Sequence, residues 1–145
     1  MGVPYVGATN RNNGVLDFVK PVDSLMMKGN CIAFVKQGEG SVGYAVYKHE
    51  DFIASTSIAT GYAPFLNRYT GIFITTVADK VRGKYNYNYP RSEARLKKET
   101  IQLPIDENGQ PDYAFMEKFI RQIESRIIRE YITQISVKLR KAPPQ

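Results

Sequence analysis

From Asp112 onward the hydrophobic pattern takes on the period of a helix and keeps it to Leu139. Met116, Ile120, Ile123 and Ile127 recur at steps of four, three and four, and Ile128, Ile132, Ile135 and Leu139 continue on the adjacent stripe. Asp112 is placed to cap the N-terminus, Glu117 and Arg121 stand four apart, as do Arg126 and Glu130, and Ala142-Pro143-Pro144 ends the run. At 1.5 Å per residue such a helix spans roughly 40 Å, more than a domain of this size needs to cover its own sheet. The chain is therefore constrained to be a globular body that carries a projecting helix. The first half, around Phe115 and Phe119, is expected to pack on the body's sheet. The distal residues Ile128, Ile132, Ile135 and Leu139 are expected to meet a partner helix, because an isoleucine stripe left in water is poorly stabilised. The division that follows is a domain over 1–111, a helix over 112–141 and a tail over 142–145.

Upstream, strand-length runs alternate with turn signals. VPYVGA is followed by polar NRNNG, with Asn13-Gly14 a strong turn pair, then by VLDFV ending at Pro21. After a methionine-containing bridge come CIAFVK, the turn QGEGSVG, YAVYKH and FIAST, which read as a meander of short strands. RYTGIFITTVADKVRG suits either strand or helix, and its β-branched density favours strand at its centre. TIQLPI reads as a short strand and DENGQPD as a turn. The fold class is α+β: a mixed, mostly antiparallel twisted β-sheet followed by one long C-terminal α-helix.

A chain of 145 residues that is 43% hydrophobic can bury one core and fits one domain. No run of apolar residues is long enough to span a membrane, and MGVPYVGATN lacks a basic leader or an apolar signal segment, so the expected location is cytoplasmic. One cysteine, Cys31, and one histidine, His49, exclude an internal disulfide and a tetrahedral zinc site. No metal and no cofactor is expected.

The window 80–98, KVRGKYNYNYPRSEARLKK, holds seven positive charges and one negative, and its net +6 equals that of the whole chain. The remainder balances to zero, so the positive field has one source, as on a surface that meets a polyanion. Tyr85, Asn86, Tyr87, Asn88 and Tyr89 lie among the charges and can stack on bases or hydrogen-bond to base edges and phosphates. Charge runs are also ordinary solvated faces, and alternating Tyr and Asn can be an exposed strand. On the nucleic-acid reading, Lys80, Arg82, Lys84, Lys97 and Lys98 are assigned to phosphates. Arg91 and Arg95 are assigned to phosphate or guanine edges, and Tyr85, Asn86, Tyr87 and Asn88 to groove contacts. Asn12 and Asn13, with Asn10 and Arg11, form a second polar loop that can face DNA, although as turn formers they need no such role.

Gly38, Gly40 and Gly43 match G-x-G-x-x-G, yet the expected helix does not follow and no βαβ unit surrounds them, so a hairpin turn is the better reading. Such a turn lets backbone approach a phosphate, with Lys36, Gln37 and Ser41 at its rim. Cys31 and His49 can be drawn as a nucleophilic pair, but Cys31 lies mid-strand with no local cause for a lowered pKa. Asp106, Glu107 and Asp112 lack the Glu-x-Lys of a nuclease and stand where a helix start favours carboxylates. No catalytic constellation emerges, and a non-enzyme is expected.

GVPYVGATNRNNGV, GNCIAFVKQGEGSVGYAVYKHEDFIAS, LNRYTGIFITTV and ARLKKETIQLPIDENGQPDYAFMEKFI, in that order, resemble the target recognition domain of type I restriction-modification specificity subunits and of related type IIG enzymes. The resemblance runs from about Val3 to about Arg121. It implies a double-stranded DNA-binding module that recognises one half of a bipartite target and directs methyltransferase and nuclease subunits without doing chemistry itself. A complete specificity subunit resembles a duplicated chain joined by spacer helices, whereas here there is one copy and one helix. The resemblance thus implies a half-subunit or an excised domain whose last helix pairs with a second copy or a second specificity half. The basic window falls where the family varies most, so no base contact carries over. Two other readings stay open: a single-strand DNA or RNA-binding protein using the same tyrosines as a stacking platform, and an assembly subunit that does not touch DNA.

Overall fold

A computed structural model describes residues 2–141, so the expected tail over 142–145 and the helix stop at Ala142-Pro143-Pro144 lie outside the described residues. Seven strands, β1 (Val3–Val6), β2 (Val15–Val19), β3 (Met26–Met27), β4 (Cys31–Val35), β5 (Ala45–Lys48), β6 (Phe52–Ala54) and β7 (Ile58–Gly61), precede the helices α1 (Arg68–Ala78), α2 (Glu93–Leu96) and α3 (Tyr113–Lys141). The strands divide into two sheets, ordered β2-β1-β6-β3 and β5-β4-β7. Every pairing is antiparallel except β1 with β6. The α+β class is as expected from the sequence, but the strands do not run as one meander.

The continuous apolar run CIAFV is explained by burial on both faces of β4. Cys31, Ala33 and Val35 point to one side, where they meet Val6 and Phe52 of the other sheet and form a core between the two sheets. Ile32 points to the opposite side, into a second core with Ala45, Leu66, Ile74, Ala78 and Met116, which α1 and α3 close. β4 is thus the central wall of a layered body, with one sheet on one side and α1 on the other.

The β-branched segment expected to be a strand is helix α1. Asn67 accepts the amides of Tyr69 and Thr70, and the Thr70 hydroxyl accepts the Asn67 amide in return, a reciprocal cap. Thr70, Gly71, Ile74, Thr75 and Ala78 are the buried residues, recurring at helical spacing on one face, and this stripe outweighs the strand preference of Ile and Thr. Gly71 is required for its lack of a side chain, since a Cβ there would stand 2.2 Å from Cδ2 of Tyr47 on β5. TIQLPI, expected to be a short strand, forms none; its one pairing is a bridge between Ile105 and Pro111. The run IATG, not anticipated as a strand, is β7.

Helix α3 begins where expected: the Asp112 carboxylate accepts the Phe115 amide at 2.8 Å. Its 29 residues correspond to about 43 Å. The first half packs on α1 rather than directly on a sheet. Phe119 meets Phe73 edge-to-face at 5.8 Å, Arg121 lies 3.8 Å over the Tyr69 ring, and Asn67 and Arg68 bond Glu117 and Glu124. Beyond Glu124 the described side chains are all exposed. Ile128, Ile132, Ile135 and Leu139 have 52%, 57%, 38% and 71% of their surface open, so the body does not cover the distal stripe.

Candidate nucleic-acid interface

Three connections between elements meet on one contiguous surface. The first is the 8–14 loop, in which Asn12 and Asn13 both adopt the left-handed conformation with φ near 50°; asparagine tolerates it better than most residues. The buried Lys48 ammonium holds this loop from below, donating to the Asn13 carbonyl and pairing with Glu50 at 3.0 Å. The Asn13 amide group in turn donates to the Tyr47 carbonyl, while Asn10 donates to the Tyr44 hydroxyl. The second is the 36–44 connection of the β4–β5 hairpin. Gly38, Gly40 and Gly43 all have positive φ, and strand β5 follows them, so this is a hairpin turn and not a dinucleotide loop. A Cβ on Gly38 would strike Ala8 of the first loop at 2.6 Å, and one on Gly43 would strike Arg82 at 2.8 Å. Glycine at these two positions lets the three connections touch.

The third connection is the basic window itself. It is neither a strand nor a featureless charged run. A 3-10 helix (Asp79–Lys84) leads to a tight turn in which Asn86 and Tyr89 exchange backbone hydrogen bonds, and α2 follows, capped by Ser92. Asn86 Oδ1 accepts the amides of Asn88 and Tyr89 at 3.0 Å each, so this side chain keeps only its NH2 group for an outside acceptor. Tyr87 stands at the turn's tip, 82% exposed. Behind it the rings of Tyr85 and Tyr89 stack at 6.1 Å, and the Arg95 guanidinium lies 3.7 Å over Tyr89. Arg82 covers the Tyr44 ring at 4.0 Å. A cleft of about 520 Å³ opens between the second and third connections, lined by Gln37, Gly38, Ser57, Asn86, Tyr87 and Pro90.

The placement revises several sequence assignments. Arg91 has no exposed surface; it pairs with Glu99 and donates to the Gly43 carbonyl at 2.8 Å, so it is an interior residue and leaves the set of DNA-contact candidates. Ser41 is 3% exposed and sits beneath the glycine turn, not at its rim. The Lys36 ammonium is engaged by Glu93 at 3.2 Å. The Tyr85 hydroxyl points inward and donates to Glu99; burial first, and then this carboxylate, raises its pKa. Arg95 is half-buried and donates to the Pro90 carbonyl. Gln37, Asn86, Tyr87, Asn88, Lys80, Lys84, Lys97 and Lys98 are exposed, as are Asn12 and Asn13. Lys80 and Lys97 line separate clefts, the first beside Thr100 and Gln102, the second along β7, so the charges flank the central cleft and do not fill it. Sequence reading missed Ser57, Tyr44, Lys48 and Glu99. Only the glycine pattern hinted that distant loops come close.

The arrangement offers stacking rings, amide groups and ammonium groups. Among the described residues no group of three or more His, Cys, Asp and Glu could hold a metal, and no helix is long and apolar enough to cross a membrane. Cys31 lies wholly inside β4, where burial pushes its thiol pKa up, against the requirement for a nucleophile.

The body thus consists of two sheets whose polar loops converge on one surface, and it carries a projecting helix. Residues 1–133 match the family model described as the type I restriction modification DNA specificity domain, and the chain belongs to that family. It is 28% identical over 130 residues to the Type II restriction enzyme BgcI specificity subunit S.BcgI of Heyndrickxia coagulans. The aligned part covers 87% of this chain and 37% of that relative, so the chain spans well under half of the relative's length. No solved structure matches the chain.

Proposed function

We propose that this chain is a sequence-specific double-stranded DNA-binding module that reads one half of a bipartite target and directs restriction-modification methyltransferase and nuclease subunits to it. The observation that carries the reading is the polar cleft between the glycine hairpin turn and the Tyr87 turn, with the 8–14 loop packed against the hairpin turn beside it, in a chain of the DNA specificity family. Tyr87, Gln37 and Asn86 then supply base-edge contacts, and the exposed lysines supply phosphate contacts. Gln37 is exposed and presents both a donor and an acceptor, the pair that matches adenine, whereas Asn86 with its engaged oxygen suits an acceptor such as a guanine edge or a phosphate. No chemistry is assigned to this chain; it acts through a partner.

On this reading the body over 1–111 is the recognition unit and helix α3 the coupling element. Its uncovered distal stripe of Ile128, Ile132, Ile135 and Leu139 pairs with a second copy or a second specificity half, which places two recognition units on two half-sites. Competition between duplex and single strands of the same sequence tests the proposal. Duplex should win. Preferential binding of the single strand would transfer the tyrosines to a stacking platform and favour the single-strand reading.

A further inference from the structure

Beneath the basic window lies a buried charge pair, Arg91 with Glu99 just past the window's end, that the DNA-contact reading does not use. Arg91 and Glu99 are both enclosed, their side chains 0% and 6% exposed. Arg91 bonds Glu99 through Nε and NH2, reaches the Gly43 carbonyl through NH1 at 2.8 Å, and its own backbone amide donates to the Lys36 carbonyl at 2.8 Å. Its guanidinium also lies 5.0 Å over Phe34 of β4 and 5.5 Å over Tyr85. Glu99 accepts the Tyr85 hydroxyl on the oxygen that Arg91 Nε also reaches. Two groups thereby tie the hairpin turn at both of its ends, Lys36 and Gly43, to the base of the tyrosine turn. From Tyr85 the stack continues to Tyr89 and ends at Arg95, so that two rings lie between two guanidinium groups.

We infer that Arg91 and Glu99 form a buried clamp that sets the glycine turn against the Tyr87 turn, and that the clamp determines how sharply the cleft discriminates between sequences without touching DNA. This inference rests on the duplex-binding reading above. The physical ground is that base-edge hydrogen bonds tolerate little misplacement of the walls that carry them, whereas phosphate attraction tolerates much. A loosened clamp therefore preserves general affinity and erodes selectivity. A buried pair of this kind adds little net stability compared with apolar side chains of similar size, which leaves orientation of the two turns as its contribution.

The experiment replaces the pair together, Arg91→Met with Glu99→Leu, which avoids stranding one charge in the interior. Wild type and variant are used to select from a randomised duplex pool, and the affinity ratio between the selected site and a scrambled duplex is then measured. The double variant should melt close to wild type and retain the salt dependence on scrambled duplex, while its ratio falls about tenfold or more, the worth of one well-placed base contact. A folded variant with an unchanged ratio overturns the clamp and leaves the DNA reading standing. A wild type that binds no duplex overturns the DNA reading itself. Two measurements remain decisive if the double variant does not fold. Glu99→Gln, which leaves the side-chain shape intact, should lower the ratio, and an unaltered ratio overturns the inference. In wild-type protein the Arg91 guanidinium N–H groups should stay protected from solvent exchange with and without duplex; release of that protection on binding would make Arg91 a contact and likewise overturn it.

Discussion

Replacing Ile128 and Ile135 of α3 with glutamate should abolish self-association. Full burial of an isoleucine or leucine side chain is worth about 1.5–3 kcal/mol. Ile128, Ile132, Ile135 and Leu139 retain 52%, 57%, 38% and 71% of their surface, so on average about half of that gain, near 1 kcal/mol each, remains to be realised. In a symmetric pair the four residues yield about 8 kcal/mol, and Ile127 and Tyr131, 57% and 64% exposed, raise this to about 12 kcal/mol. Association itself costs at least about 4 kcal/mol, which leaves a dissociation constant near the micromolar range at best. The two glutamates per copy remove about a third of the apolar gain and place charges in the contact, so the variant should stay monomeric across the range where wild type associates. Sedimentation equilibrium of both proteins from about 1 to 500 µM reads this directly. A wild type that is monomeric throughout, or a double variant that associates as well as wild type, refutes the assignment of the stripe to a second copy.

The remaining expectations concern the body. Gly71→Ala puts a Cβ 2.2 Å from the Tyr47 ring in a closed core, and should cost about 1–3 kcal/mol in chemical denaturation; an unchanged midpoint contradicts the packing of α1 on β5. The Arg121 guanidinium and then the Asn67 amide hold the Glu117 carboxyl below its usual pKa. A carboxyl lowered in this way contributes stability above the ordinary carboxylate range that is lost as pH falls through the folded value. The melting difference between wild type and Glu117→Gln should therefore be present at neutral pH and close in acid; a gap independent of pH contradicts the pairing. Arg95→Ala, which frees the Tyr89 ring and the Pro90 carbonyl, should cost about 1–3 kcal/mol on the preferred duplex and relax discrimination, whereas Lys97→Ala and Lys98→Ala should each weaken all duplexes alike. Equal losses on selected and scrambled duplex for all three contradict this division.

Much of the body was legible because its signals are local. The continuous apolar run CIAFV, the Asn13-Gly14 turn and the period of α3 each depend on residues close in sequence. The strand expected at TGIFITTV failed because local β preference competes there with a stripe of small buried residues and a reciprocal cap at Asn67 and Thr70, and packing against Tyr47 decides. In the basic window the charges were visible but their roles were not. Arg91 and Lys98 look alike in a sequence, and only the fold brings Glu99, Gly43 and Phe34 around one of them. Ser57 reaches the cleft for the same reason, through a chain reversal that no nearby pattern announces.

The central claim is that this surface binds duplex DNA, and a salt titration of duplex affinity tests it most directly. Lys80, Arg82, Lys84, Arg95, Lys97 and Lys98 form none of the ion pairs among the described residues, which fits about four to six neutralised phosphates and predicts a slope of about −4 to −5 for log affinity against log salt. Affinity that stays flat between low and moderate salt would mean that these charges meet no phosphate backbone, and would contradict the account.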